Sequence, residues 1–205
     1  MTRTIHNLRL AVAGGILAMA LQGATGMAQT AVGDLVRPPN VPAAIQVPAG
    51  HKAFLKAYAA GTQNYICLGS TWTFLGPQAT LFLTFQWFHG EARQQIATHF
   101  LSPNPSEGGM PRPTWQSSLD TSAVGGEVKA SSSDPNYVAP GAIPWLLLEA
   151  AGSQRGPLGG SSLSQTTYIQ RVKTSGGVTP TAECIAGATA FVPYTADYYF
   201  YKSAQ

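Results

Sequence analysis

Hydrophobic and polar positions along this chain alternate in short runs, and the period that recurs is two. "TQNYICLG" sets Gln63, Tyr65 and Cys67 on one face and Asn64, Ile66 and Leu68 on the other. "KAFLKAYAAG" alternates as well, with Phe54 and Tyr58 beside Lys56. "QQIATHFL" places His99 opposite Ile96, Thr98 and Phe100. "LSQTTYIQRVKTSGG" is rich in Thr, Tyr, Ile and Val and stops at Gly176–Gly177, so it predicts a strand and a turn. The last run, "VPYTADYYFYK", puts Tyr194, Ala196, Tyr198 and Phe200 on one face and Thr195, Asp197, Tyr199 and Tyr201 on the other. Its pattern predicts a closing core strand but does not say which face is buried.

Three segments break the alternation. "ATLFLTFQWF", residues 79–88, is uncharged and aromatic-rich. It is too short to cross a bilayer as a helix, which takes about 20 residues, so it predicts a buried strand or strand pair. "IPWLLLEAAG" fits either a buried strand or one short helix. Residues 102–142 are dense in Pro, Gly and Ser and predict long loops with short strands at "TSAV" and "GEVKAS". No internal repeat or long amphipathic helix is present. Many short strands punctuated by Gly and Pro predict an all-β fold, mainly antiparallel, a sandwich or a barrel with long loops.

The N-terminus follows another rule. Arg3 and Arg9 precede an apolar run from Leu10 to about Leu21, then Gly26 and Ala28 precede Gln29. That layout predicts a signal peptide over residues 1–28, cleaved near Ala28, and a secreted or periplasmic protein. An uncleaved short anchor is the alternative. Residues 29–46 read as an extended, proline-rich lead-in, with Val41, Ile45 and the adjoining Val47 as apolar positions through which it docks, and residues 47–205 as one β-rich domain. Past the expected cleavage point the mature chain has no transmembrane segment.

Charge changes the picture little. Of twelve Lys and Arg, Arg3 and Arg9 fall in the leader, leaving ten against nine Asp and Glu. There is no basic cluster, so nucleic acid is not an expected partner. In an oxidising compartment Cys67 and Cys184 read as one disulfide, with two buried thiols as the alternative. No G-x-G-x-x-G, P-loop, H-E-x-x-H or G-x-S-x-G motif occurs, so no cofactor or metal is expected.

The candidate chemistry is sparse. His51, His89 and His99 share no metal-ligand spacing. His99 ends a β run and precedes the segment that carries Arg112 and Trp115, so it reads as a general base, a ligand contact, or a backbone-bonded strand histidine. Asp197 lies among aromatics in a strand, where an unpaired carboxylate is costly, and Arg171 is its natural partner. That pair reads as a structural bridge or a substrate-orienting one. Trp72, Trp115, Trp145, Tyr168, Tyr194, Tyr198, Tyr199 and Tyr201 supply core, or a stacking platform for sugars. Trp115 is set apart by its loop-like surroundings, which favour an exposed binding residue.

Taken in order, "GTQNYIC", "ATHF", "PTWQSS", "IPWLLLEA", "YIQRVKTSGGVTP", Cys184 and "VPYTADYYFYK" resemble a domain-of-unknown-function family of exported bacterial and fungal proteins. The resemblance covers about residues 47–202. The middle departs from the family pattern: "FLSPNPSEGGMPRPT" separates His99 from Trp115, and the following turn reads Ser117, Ser118, Leu119, Asp120. Some fungal members carry a malate dehydrogenase label, which a chain without a dinucleotide fingerprint does not support. The resemblance implies no activity. The polar positions that match it, His99, Gln170, Arg171 and Asp197, make the candidate site, with Trp115 and Tyr199 as ligand-binding aromatics. The expected function is a binding or envelope-interaction module for a cell-surface glycan or small ligand. The alternative is a secreted hydrolase using His99 with Arg171 and Asp197.

Overall fold

In a computed structural model, residues 36–88 and 90–204 are described. The expected signal peptide, the first part of the lead-in and His89 lie outside them. The period-two runs become eight strands: β1 (His51–Leu68), β2 (Thr71–Trp87), β3 (Gly90–Asn104), β4 (Met110–Ser117), β5 (Ala123–Ser132), β6 (Trp145–Gln154), β7 (Tyr168–Gly176) and β8 (Thr189–Ser203). Each pairs antiparallel with the next, and β8 pairs with β1, closing a barrel. Closure removes the two terminal edge strands that an open sheet would leave exposed. "IPWLLLEAAG" is therefore strand: its apolar residues alternate between two buried environments. No described helix is long and apolar enough to cross a membrane.

Two cores lie on either side of the barrel wall. Inside are Ala57, Ala59, Leu81, Trp115, Leu148, Ile169, Tyr198 and Phe200, among others. Outside, Ile45, Ala53, Val138, Trp145, Leu147, Val172, Tyr199 and Tyr201 form a second cluster, with Val36, Val41 and Val47 packed on it. The lead-in supplies this outer cover, as its apolar positions predicted. A 3₁₀ turn at Ala43–Ile45 buries Ile45, whose carbonyl accepts from Gln170 Nε2 at 2.7 Å. β8 is consequently buried on both faces, Tyr194, Ala196, Tyr198 and Phe200 inward and Tyr199 and Tyr201 outward.

The middle segment differs from expectation. Residues 102–117 are the tip of a long β3–β4 hairpin rather than an open loop. Asn104 accepts from Ser106 N–H, and Gly108 and Gly109 take positive φ at the turn. Arg112 then grips Glu107 with two hydrogen bonds of 2.6 and 2.8 Å. Prolines 111 and 113 are tolerated because β4 pairs with β5 only through Thr114–Gln116, which leaves its first half an edge. The hairpin tip instead folds over β6. A Cβ on Gly152 would lie 2.6 Å from Asn104 Oδ1 and 2.7 Å from Ser106 Oγ, so only glycine admits the contact.

The connections segregate to two ends. Those after β1, β3, β5 and β7 share one end, where the Cys67–Cys184 disulfide ties β1 to the β7–β8 connection with Cα atoms 5.9 Å apart. At the other end Asp120 latches the β4–β5 turn to the β6–β7 connection by accepting from Ser122 and Ser162. Those hydrogen bonds, Ser122's hydroxyl foremost, hold its carboxyl well below the usual range.

Candidate functional site

The disulfide-bearing end holds a cavity of about 240 Å³ inside the barrel wall. Strands converge on it because their inward rows end there: Gln63 and Tyr65 from β1, His99 from β3, Trp115 from β4, Leu148 from β6, Arg171 from β7 and Tyr198 from β8. Phe74 and Val128, both exposed, stand at its rim. Small residues leave the room. A Cβ on Gly126 would come within 3.2 Å of Trp115 Cζ3, and one on Gly177 within 3.0 Å of Gln63 Cγ, where φ is +83°.

His99 is the structural centre. Its ring stacks on the Trp115 indole, centroids 4.3 Å apart and planes 7° apart, and Tyr198 meets both rings edge-on. Nδ1 lies 2.9 Å from the Thr114 carbonyl. A carbonyl only accepts, so Nδ1 carries the proton and Nε2 is left as an acceptor. Burial is the main reason the pKa falls, to about 3, and the Arg171 charge adds to it against the hydrogen bond to Thr114. His99 is thus neutral at physiological pH.

Arg171 is the cavity's charged side chain. Its Nε and Nη2 donate to the Pro144 carbonyl at 3.3 and 2.9 Å, and it forms no ion pair with any described carboxylate. Two other donors, unlike those of Arg171, face no acceptor. Gln63 is 4% exposed and its Nε2 has no partner; Trp115 is 1% exposed and its Nε1 has none. Burying an amide or indole N–H unpaired costs about 1–3 kcal/mol, so native folds keep such groups rare. Tyr65 is satisfied, its hydroxyl donating to the Gly177 carbonyl at 2.7 Å. Burial raises the Tyr198 phenol above its ordinary pKa, with Arg171 opposing, and Tyr198 stays protonated. The remaining wall is apolar: Pro77, Pro113, Ile143, Leu146 and Leu148.

Of the residues singled out in the sequence, His99, Arg171 and Trp115 meet in this cavity. Trp115 is not an exposed loop residue as expected; the hairpin register turns it into the barrel opposite His99. Asp197, Gln170 and Tyr199 do not join them. The expected Arg171–Asp197 pair is absent because Asp197 is one residue out of phase: Arg171 sits opposite Tyr198, and Val172 opposite Asp197. Asp197 faces outward to Lys56 at 3.1 Å and Lys173 at 3.8 Å. The grouping of His99 with Asp197 fails for the same reason, since the barrel wall separates them. Tyr199 is buried under the lead-in with Lys56 over its ring. Gln170 lies on that outer face too, bonded to Ile45 and accepting from Tyr201.

Gln63 was not among the expected ligand residues. The signal was present: it alternates inward with Tyr65 and Cys67, an amide in a row otherwise destined for core. A second, open groove of about 770 Å³ lies over β1, β2 and β3. Asn64, Gln78, Thr80, Thr98 and exposed Phe191 line it, without a charged side chain.

Fold and site together define a small closed antiparallel barrel with a polar-tipped, mostly apolar pocket in one mouth. The chain belongs to the family described as "Protein of unknown function (DUF3455)", which matches residues 48–202. That span runs from just before β1 to the last residue but one of β8, so the family unit is the barrel itself. A comparison with the curated proteins finds no match, and a comparison with the solved structures finds none.

Proposed function

We propose that this protein is an exported binding protein that takes a small ligand into the mouth of its barrel. The observation that carries the reading is the convergence, in one apolar pocket, of two buried donors without a partner, Gln63 Nε2 and Trp115 Nε1, with the Arg171 guanidinium, which has no described carboxylate beside it. Eight-stranded barrels have an interior just wide enough to be packed solid or to hold one small ligand. Here a cavity lies toward each end, about 240 Å³ at the disulfide-bearing end and about 270 Å³ between Phe54, Leu83, Ile96 and Leu163 at the other, and the first is the one that gathers these donors. A pocket with a few convergent polar groups on apolar walls is what small-molecule recognition requires. Export rests on the leader pattern in the sequence, and a disulfide between Cys67 and Cys184 is in keeping with it.

The hydrolase alternative has less to stand on. His99 offers Nε2 as a base, but Asp197 lies behind the barrel wall. A second binding reading is favoured by one observation, the open groove. Its uncharged hydrogen-bonding side chains and exposed Phe191 suit a neutral glycan.

One experiment separates these readings. Thermal unfolding of the protein is followed with a library of small compounds and, in parallel, its retention on insoluble polysaccharides is scored. Val128→Trp, at the exposed rim, fills the mouth without disturbing a buried contact. Compounds that raise Tm in the parent and not in Val128→Trp support the luminal pocket. Stabilisation that survives Val128→Trp overturns it, and retention on uncharged polysaccharide that survives the substitution favours the groove.

A further inference from the structure

We propose that the ligand of the barrel mouth is a compact monocarboxylate with an apolar body, its carboxylate held by Arg171 with the Gln63 amide and the Trp115 indole. This rests on the reading of the cavity as a binding pocket and narrows it to a chemical class.

Charge is the first reason. Arg171 is the cavity's cation, no carboxylate lines the wall, and no described acidic side chain pairs with it. A half-buried guanidinium without a counter-ion is electrostatically unfinished, and an anion within hydrogen-bond reach completes it. His99 stands beside it without charge, so a single anionic group balances the site and a dianion does not.

The hydrogen-bond inventory is the second. Gln63 Nε2, Trp115 Nε1 and the remaining N–H groups of Arg171 are donors, while His99 Nε2 and the Gln63 amide oxygen are acceptors. A donor-rich site wants an acceptor-rich ligand. A carboxylate is acceptor-only, with about four lone-pair sites, and is matched in shape by guanidinium. A hydroxyl on the ligand's body would serve His99 Nε2.

The walls supply the third. Ile143, Leu146, Leu148, Pro77 and Pro113 offer no hydrogen bonds, so the rest of the ligand is apolar. At about 240 Å³ the cavity lies below the roughly 300–1,000 Å³ of drug-sized sites, so the ligand is compact. A free organic acid with an aromatic or aliphatic body meets both requirements, whereas a uronic acid of a polysaccharide, polyhydroxylated, does not.

The test uses the ¹⁵N-labelled protein and the indole N–H resonance of Trp115, assigned by its loss in Trp115→Phe. Benzoate, its neutral isostere benzamide, glucuronate and inorganic phosphate are titrated in turn. The proposal expects benzoate to shift that resonance saturably and benzamide to bind at least tenfold more weakly. In Arg171→Met the preference for benzoate over benzamide disappears. Glucuronate binding in place of benzoate overturns the apolar body, because its ring is polyhydroxylated. Arg171 also holds Pro144, so the benzoate–benzamide ratio on the parent protein stands even if Arg171→Met does not fold. Equal affinity for benzoate and benzamide, or undiminished benzoate binding in Arg171→Met, overturns the acid while leaving a neutral luminal ligand in place. Phosphate binding as tightly as benzoate overturns the monocarboxylate. No response to any probe, with luminal binding of other compounds intact, overturns the class alone.

Discussion

His99 illustrates how environment sets chemistry at a single residue. Buried against Trp115 and Tyr198 and near a guanidinium, it is held neutral down to about pH 3. In the unfolded chain it takes up a proton near pH 6.5. Between those values the unfolded state binds more protons, so the histidine contribution is fully present above 6.5 and is lost as pH falls toward 3. The loss is at most about 1.4 kcal/mol per pH unit. Urea denaturation at pH 7 and pH 4.5 is expected to show a steeper stability loss in the parent than in His99→Gln, whose amide can still donate to Thr114. Equal slopes would mean that His99 is protonated in the fold. Arg171 and Asp197 show a complementary point. One strand register puts a cation in the lumen and an anion outside, although their sequence contexts looked alike.

At the scale of elements, the lead-in is part of the fold rather than a tether. Ile45 is fully buried, and Gln170 bridges it to Tyr201 across β7 and β8. Replacing Gln170 by Leu leaves the Ile45 carbonyl and the Tyr201 hydroxyl buried without a partner. The expected loss is about 1–3 kcal/mol in urea unfolding, with faster proteolysis of residues 36–48. Unchanged protection of that segment would mean that its apolar contacts alone suffice. The β3–β4 hairpin is the other element with a decisive placement. By folding over Gly152 it leaves the first half of β4 unpaired with β5, and Pro113 and Val128 then flank the pocket instead of sealing it.

At the scale of the whole molecule, the barrel closes through β1 and β8, and the Cys67–Cys184 bond spans 117 residues of the chain. A loop of that length restricts the unfolded ensemble by about 4–5 kcal/mol in the chain-entropy model. The Cys67→Ala/Cys184→Ala double variant is therefore expected to unfold at markedly lower denaturant concentration. Ligand binding should weaken with it, because the bond lies at the end that holds the pocket. Full retention of the denaturation midpoint would show that the β7–β8 connection is held by its own contacts.

The all-β class, most strand positions, the cysteine pair and the docking lead-in were legible in the sequence because they follow from local rules. Side chains alternate with period two, β-branched and aromatic residues favour strands, and buried apolar positions in a proline-rich segment need a surface to cover. The family resemblance was legible for the same reason, being carried by contiguous segments. Three things were not. Proline and glycine density between 102 and 142 looks the same in an open loop and in a hairpin, and for residues 102–117 only pairing with β3 distinguishes them. Strand alternation separates two faces but does not say which is lumen, because in β8 both are buried. The site required both answers at once. His99, Arg171, Trp115 and Gln63 come from four strands, and their meeting depends on register and barrel closure, which are properties of long-range pairing.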